Sequence, residues 1–438
     1  ARLAEKKELW GMRKLFGVKV VGFDDDDDEK EKEEEKKKDG VDVADTKEEE
    51  EEEAAAEAKP DATMEAKEKE ISAEETKPAP APPAVATGPK RKVALLLAFL
   101  GTDYQGMQIN ASSRSIQAEV ELALYRAGLL ARSNFGYPHK YGWSNSARTD
   151  KGVHSCAQVC SVKIALPGED STMDEVRALM SEHLPNDIRA LDVTRVTKSF
   201  CARTQRDRVR YRYMIPSYAL RDRDEIAGAF ERAGCAADSA QRQPGDPLDA
   251  ADLVKIRAEL DATRYRIPED RLAKFREALA KYHGTRAYHN YTARKSPNDP
   301  SVMRYVETFT ADDPVIDKNG VQWIPTSVLG QSFLLHQIRK MISMASEVAG
   351  GSTTLDEMES TFSREAIRVV HVAPASGLFL EMSYFGNYND RQARCESSAV
   401  PPLDWTSPSS ESSSSSSARK SSDAVKRWKE FRDDVVEK

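Results

Sequence analysis

The sharpest constraint on how this chain folds is a break in its composition near residue 89. Residues 24–53 are dominated by Asp, Glu and Lys, and Pro- and Ala-rich sequence runs on to Pro89. Residues 1–89 hold 16 Lys and Arg against 28 Asp and Glu, a net of −12. The whole 438-residue chain carries −8, which leaves +4 for residues 90–438. A segment of that kind cannot bury enough apolar surface to offset its chain entropy. Residues 1–89 are therefore expected to form a disordered acidic tail, and the fold must come from the remainder. The mildly basic remainder permits nucleic-acid binding without demanding it.

Within it, residues 93–100 form a continuous apolar run that suits a strand covered on both faces. Residues 115–128 place Ile116, Val120, Ala123, Leu124 and Ala127 on one helical face, with Gly128 as the stop. Period-two spacing marks strands at 156–166, 208–215 and 378–384, the last through Leu378, Leu380, Met382 and Tyr384. Further strands are expected at 303–310 and 323–327, and helices at 271–282 and 332–349. This mixture predicts an α+β class, two halves sharing a sheet, and not a doubly wound nucleotide fold. The boundaries expected are 90–207 and 208–393, with an insertion at 222–262. A Ser-rich linker and a short amphipathic helix near 424–435 fill residues 394–438.

The five cysteines, Cys156, Cys160, Cys201, Cys235 and Cys395, include no CxxC pair and read as reduced, buried thiols. Cys156 and Cys160, four apart in a strand, should share a face. No metal site is expected. No apolar run approaches the roughly 20 residues of a membrane span, so no membrane association is expected either.

Three segments carry candidate chemistry. In Ser146-Ala-Arg-Thr-Asp-Lys-Gly-Val-His-Ser155 a small polar loop gathers Arg148, Asp150, Lys151 and His154 just before a strand. Asp150 is either a reactive carboxylate or a turn residue beside Gly152. In the expected helix at 332–349, Arg339 falls within the stripe of Leu334, Leu335, Ile338, Met341 and Ile342. A guanidinium held there needs a carboxylate, and Asp150 is the candidate; the other reading has Arg339 reaching out to the stripe's edge. In the third segment Arg206, Arg208, Arg210 and Arg212 alternate with Tyr211 and Tyr213, with Arg203 just upstream. Basic side chains bind phosphates and an aromatic stacks on an unstacked base, although a strand Tyr is commonly plain core.

Taken together, Ala147-Arg-Thr-Asp-Lys-Gly-Val-His154 resembles the signature of the TruA-type tRNA pseudouridine synthases. Six further segments resemble that family in its order: Tyr104-Gln-Gly-Met-Gln108, Leu184-Pro-Asn-Asp-Ile188, residues 200–213, Gly284-Thr-Arg-Ala-Tyr-His-Asn-Tyr291, residues 330–341, and Ala373-Pro-Ala-Ser-Gly-Leu378. The resemblance spans about residues 93–388 and looks eukaryotic; it departs at Arg286 and Ala287, where the family usually has His and Asp. It implies the pseudouridine synthase fold, with ferredoxin-like halves sharing a mostly antiparallel sheet and a basic cleft. It also implies isomerisation of uridine in tRNA, near the anticodon stem-loop, without a cofactor. The target is flipped out to reach Asp150, which acts as nucleophile or as base. Arg339 would pair with Asp150, Tyr211 would stack on the uracil, and Arg148 would hold the nucleotide. Lys151, Arg203 and Arg210 are the remaining candidate RNA contacts, while His154 and His289 are expected to be structural. Other structured RNAs are further candidate substrates; a synthase acting mainly on messenger or small nuclear RNA, or a catalytically silent RNA-binding factor, are the competing readings. Monomer and homodimer both stay open. The expected compartment is intracellular and nuclear, with mitochondrion and plastid as alternatives.

Overall fold

The computed structural model describes residues 88–110, 113–235, 250–395, 400–403, 405 and 424–431. The expected acidic tail up to residue 87, the Pro-Gly-Asp-Pro break at 244–247, most of the Ser-rich stretch and Val435 lie outside these residues.

Among the described residues, ten strands form one sheet: β1 Lys90–Phe99, β2 Ser144–Asn145, β3 His154–Ala165, β4 Ile188–Arg195, β5 Arg208–Pro216, β6 Gly284–Ala287, β7 Met303–Ala311, β8 Val315–Ile316, β9 Gln322–Gly330 and β10 Leu378–Tyr384. Their spatial order is β4-β1-β3-β10-β5-β9-β7-β6, with β2 on β3 and β8 on β9. Every pairing is antiparallel except the central one, where β10 meets β3 in parallel through Phe379 opposite His154 and Leu380 opposite Ser155. Among the described residues the helices are α1 Ile116–Arg126, α2 Met173–Ser181, α3 Arg223–Arg232, α4 Ala250–Glu259, α5 Glu269–Ala280, α6 Gln337–Ala349, α7 Leu355–Ser360, α8 Gly386–Ala393 and a C-terminal helix through 424–431.

The β1 run is buried on both faces, as its composition requires. Val93, Leu95, Leu97 and Phe99 pack with α1 and α2 residues such as Val120, Leu124 and Val176. Ala94, Leu96 and Ala98 face a second cluster built from Phe200, Phe379, Phe385, Tyr388 and the C-terminal residues Leu403 and Trp405. Each large apolar side chain sealed in this way stabilises the fold by roughly 1.5–3 kcal/mol. On the helix side of the other half, α5 and α6 cover Val209, Tyr211, Tyr213, Val306 and Val328.

The C-terminal helix docks on the body. Residues 424–431 bury Ala424 and Phe431 in the rear cluster, with Trp428 packed against it. Arg427 Nε donates to Leu191 O at 2.8 Å and Trp428 Nε1 to Glu381 O at 3.3 Å. Trp405 Nε1 donates to the Asp192 carboxylate at 2.8 Å. Within 222–262, α3 and α4 pack through Ile226, Phe230 and Ile256.

Four local expectations need correction. Cys156 and Cys160 face opposite clusters, because the β1–β3 register shifts between Leu97 and Phe99. A register shift between Leu380 and Met382 likewise turns Met382 away from Leu380 toward the rear cluster. Cys201 is half-buried and Cys395 exposed, so the five free thiols are not uniformly buried. The helix expected from 332 starts at Gln337. The Gln337 side chain accepts from Leu334 N at 2.8 Å and Thr292 Oγ1 donates to Leu335 O at 3.0 Å, which holds residues 332–336 in a non-helical path.

Trp405→Ala removes a buried ring and its hydrogen bond. It is expected to cost about 3–5 kcal/mol, read as a lower denaturant midpoint at unchanged slope. An unchanged midpoint would show that this segment does not hold the rear of the sheet.

Candidate active site

The loop before β3 is held from three sides. Gln158 Nε2 donates to Ala147 O at 3.0 Å. Met107 N donates to Thr149 O at 3.1 Å, and Gly152 N to Tyr104 O at 3.3 Å. Gly106 has φ +98°, and a Cβ there would sit 2.7 Å from Thr149 O. Only glycine lets the early loop approach this closely in that conformation. Tyr104 is fixed in turn: its hydroxyl donates to Asp187 at 2.7 Å, and the Arg114 guanidinium lies 4.5 Å over its ring. The Leu184–Ile188 segment thus supports Asp150 at one remove, through Tyr104.

Asp150 opens onto a cleft of about 1110 Å³ between the two halves of the sheet. Arg148, Arg203, Arg206, Lys295 and Arg304 line it, and Asp150 is the single carboxylate among its lining residues. Arg339 Nη1 lies 4.0 Å from Asp150 Oδ2, at the limit of an ion pair. The guanidinium is anchored by Nε, which donates to Ala373 O at 2.6 Å. Burial lowers the pKa of Arg339, with Asp150 and Tyr213 acting against that shift. Tyr211 forms part of the cleft wall at 8% exposure, its ring edge-on to Phe333 at 5.7 Å between centroids. Burial pushes its phenol up to about 12, opposed by Arg206 and aided by Asp150.

Asp150, Arg339 and Tyr211 therefore converge, and Arg148 and Arg203 join them on the cleft wall. Lys151 is exposed and does not line the cleft. Arg210 is a correction. It shares β5 with Tyr211, and adjacent strand residues point to opposite faces. Its guanidinium lies behind the sheet, 4.0 Å from Glu381 and 5.4 Å over the Tyr384 ring. It borders a separate rear cavity of about 290 Å³. His154 accepts from Gly101 N at 3.2 Å, and His289 Nε2 bonds Ala366 O at 2.9 Å. The departing Arg286 pairs with Glu359 at 3.5 Å and covers the Phe362 ring.

Sequence reasoning missed His336, and it named Arg206 only as one of several basic side chains around β5. Arg206 precedes β5 and turns into the cleft, where it donates to Ser146 O at 2.5 Å and Gln331 O at 3.0 Å. It thereby ties the Asp150 loop to the end of β9. His336 Nε2 sits 3.8 Å from Asp150 Oδ2. Its spacing of three from Arg339 was the available signal. Among the described residues, no His, Cys, Asp and Glu side chains are grouped to hold a metal ion, and no helix is long and apolar enough to cross a membrane.

The Tyr211 shift fixes a sign. An unfolded Tyr titrates near ~10, so the folded chain holds this proton more tightly. The stability it contributes is complete below about pH 10 and lost as pH rises through about 12. Wild type should lose roughly 2–3 kcal/mol relative to Tyr211→Phe across that window. Urea unfolding at both ends of the window measures this, and parallel losses in the two proteins would contradict it.

A family model described as tRNA pseudouridine synthase matches residues 278–385. The chain is 34% identical over 367 residues to tRNA pseudouridine synthase 1 of Kluyveromyces lactis, covering 74% of this chain and 65% of that protein. It is 31% identical over 347 residues to the Saccharomyces cerevisiae tRNA pseudouridine synthase 1, covering 69% and 63%. Against the Homo sapiens Pseudouridylate synthase 1 homolog it is 31% identical over 316 residues, covering 72% and 64%. The chain thus spans less than two thirds of the length of each of these relatives. The family match, these relatives and the mostly antiparallel α+β sheet agree: the chain belongs to the eukaryotic branch of the TruA-type tRNA pseudouridine synthases.

Proposed function

We propose that this chain isomerises uridine to pseudouridine in tRNA, in the anticodon stem-loop region, with Asp150 as its reactive carboxylate. The observation that carries this reading is a single carboxylate, with Arg339 4.0 Å away and Tyr211 on the same wall, in a cleft whose Lys and Arg residues are Arg148, Arg203, Arg206, Lys295 and Arg304. Its volume of about 1110 Å³ is slightly above the range of small-ligand pockets, roughly 300–1,000 Å³. An everted nucleotide with a flanking phosphate fits that scale.

The reaction breaks the N1–C1′ bond, turns the uracil, and joins C5 to C1′; C5 loses a proton and N1 gains one. No electron is transferred to or from the enzyme, so the chemistry calls for no redox cofactor. Asp150 acts at the ribose, Tyr211 stacks on the detached uracil, and Arg339 holds the carboxylate. Everting the target costs a few kcal/mol. Phosphate contacts from Arg148, Arg203, Arg206, Lys295 and Arg304 offset that cost, so affinity falls steeply with salt. The chain is proposed to work inside the cell, in the nucleus.

Tritium release from a tRNA transcript carrying C5-labelled uridine tests the reading. Wild type should release tritium and Asp150→Ala should release none while still binding RNA. Release by Asp150→Ala at the wild-type rate would sink the assignment. Wild type active on a structured mRNA or small nuclear RNA but silent on tRNA would replace the substrate.

A further inference from the structure

His336 and Arg339 both make their closest approach to the same Asp150 oxygen, Oδ2, at 3.8 Å and 4.0 Å. They come from different backbone states. Arg339 stands on α6, whereas His336 precedes it at φ +60° and ψ +1°, in the left-handed region. A residue with a Cβ rarely adopts that conformation, and strain of this kind persists only where surrounding structure enforces it.

The enforcement is visible. The fully buried Gln337 bonds Leu334 N at 2.8 Å, Thr292 Oγ1 bonds Leu335 O at 3.0 Å, and His336 O accepts from Lys340 N at 3.0 Å. Lys340 Nζ in turn bonds Thr292 O at 2.9 Å. These contacts pin both flanks of His336. Residues 332–336 all line the cleft, and the strained backbone aims the imidazole across it at Asp150.

We propose that His336 is a positioning residue for Asp150. With Arg339 it holds the carboxylate through Oδ2, which leaves Oδ1 turned toward the ribose as the oxygen that reacts. Nε2 must carry its proton to face a carboxylate; an imidazolium always does, and a neutral ring does as the Nε2–H tautomer. The inference rests on the pseudouridine synthase reading and adds the choice of oxygen to it.

Three variants of the full chain test it, each assayed for kcat, KM and RNA affinity on the tRNA transcript. His336→Asn suits a left-handed backbone, but its amide is one bond too short to reach Asp150. It should lower kcat about tenfold, somewhat less than the loss of a full hydrogen bond to a charged group, and leave KM and RNA affinity unchanged. His336→Gln places a carboxamide nitrogen near the Nε2 position and should recover most of kcat. His336→Gly relieves the backbone best; it should melt no lower than wild type and still show the Asn loss, which separates chemistry from folding. Wild-type kcat in His336→Asn, equal losses in Asn and Gln, or a loss confined to KM would each overturn the proposal. Absence of tritium release from wild type would overturn the reaction itself, and this proposal with it.

Discussion

The site depends on one short stretch of parallel pairing. β3 and β10 meet through only two residue pairs, yet that contact joins the sheet's two antiparallel halves. Leu380 lies opposite Ser155 on one side and opposite Tyr211 on the other. With strands about 4.8 Å apart, Tyr211 lies roughly two strand spacings from a residue that follows Asp150 by five. The arrangement of Asp150 and Tyr211 is thus set by backbone register, not by flexible side chains. Ser146 reinforces the seam: its hydroxyl bonds Ser383 at 3.0 Å and accepts from Val159 N at 3.2 Å. The rear cluster closes the same seam from behind, with Phe379 and Met382 from β10 packed beside Cys156, Ala157 and Val159 from β3.

Segments far apart in sequence converge on this seam. Tyr213 donates to Pro374 O at 3.1 Å, and Gly377 lies so close to the Tyr213 ring that a Cβ would meet it at 2.7 Å. Ala373, two residues before the 3-10 turn Ala375–Gly377, receives Arg339. The Ala-Pro-Ala-Ser-Gly-Leu motif therefore anchors the guanidinium that faces Asp150. The Leu-Pro-Asn-Asp-Ile motif does the equivalent for the carboxylate, through Tyr104. Both are scaffolding that reaches the site through a backbone carbonyl or a phenol.

Local periodicity carried much of the fold. The two-sided burial of β1, the faces of α1 and α5, and the alternation of β5 follow from residue spacing alone. What escaped it was non-local. The bulges that separate Cys156 from Cys160 and Leu380 from Met382 depend on partner strands. The late start of α6 depends on Thr292 and on a buried glutamine. At the site, the pairing of Arg339 with Asp150 was legible because a guanidinium in an apolar stripe demands a partner. Arg210 was misplaced although the β5 alternation already contained the answer: a face that gives Tyr211 to the cleft must give Arg210 to the rear. For His336 the spacing of three from Arg339 was the one cue, and the left-handed turn that aims it depends on Thr292 and Gln337.

The two faces of β5 treat arginine in opposite ways. Behind the sheet, Arg208 pairs with Glu307 at 3.0 Å and Arg212 with Glu381 at 3.0 Å and Asp312 at 3.4 Å. Those charges are neutralised locally and project little field. In the cleft, Arg206 is bonded to the carbonyls of Ser146 and Gln331, and Arg304 to that of Met303. A carbonyl satisfies a donor without cancelling its charge. Burial lowers the pKa of Arg206, Arg339 and Arg304 alike, which marks each as a cation held at a cost to folding. These charges are already stripped of much of their water, where electrostatic interactions are stronger than at an open surface. The positive potential of this wall is thus held at a cost to the stability of the free protein.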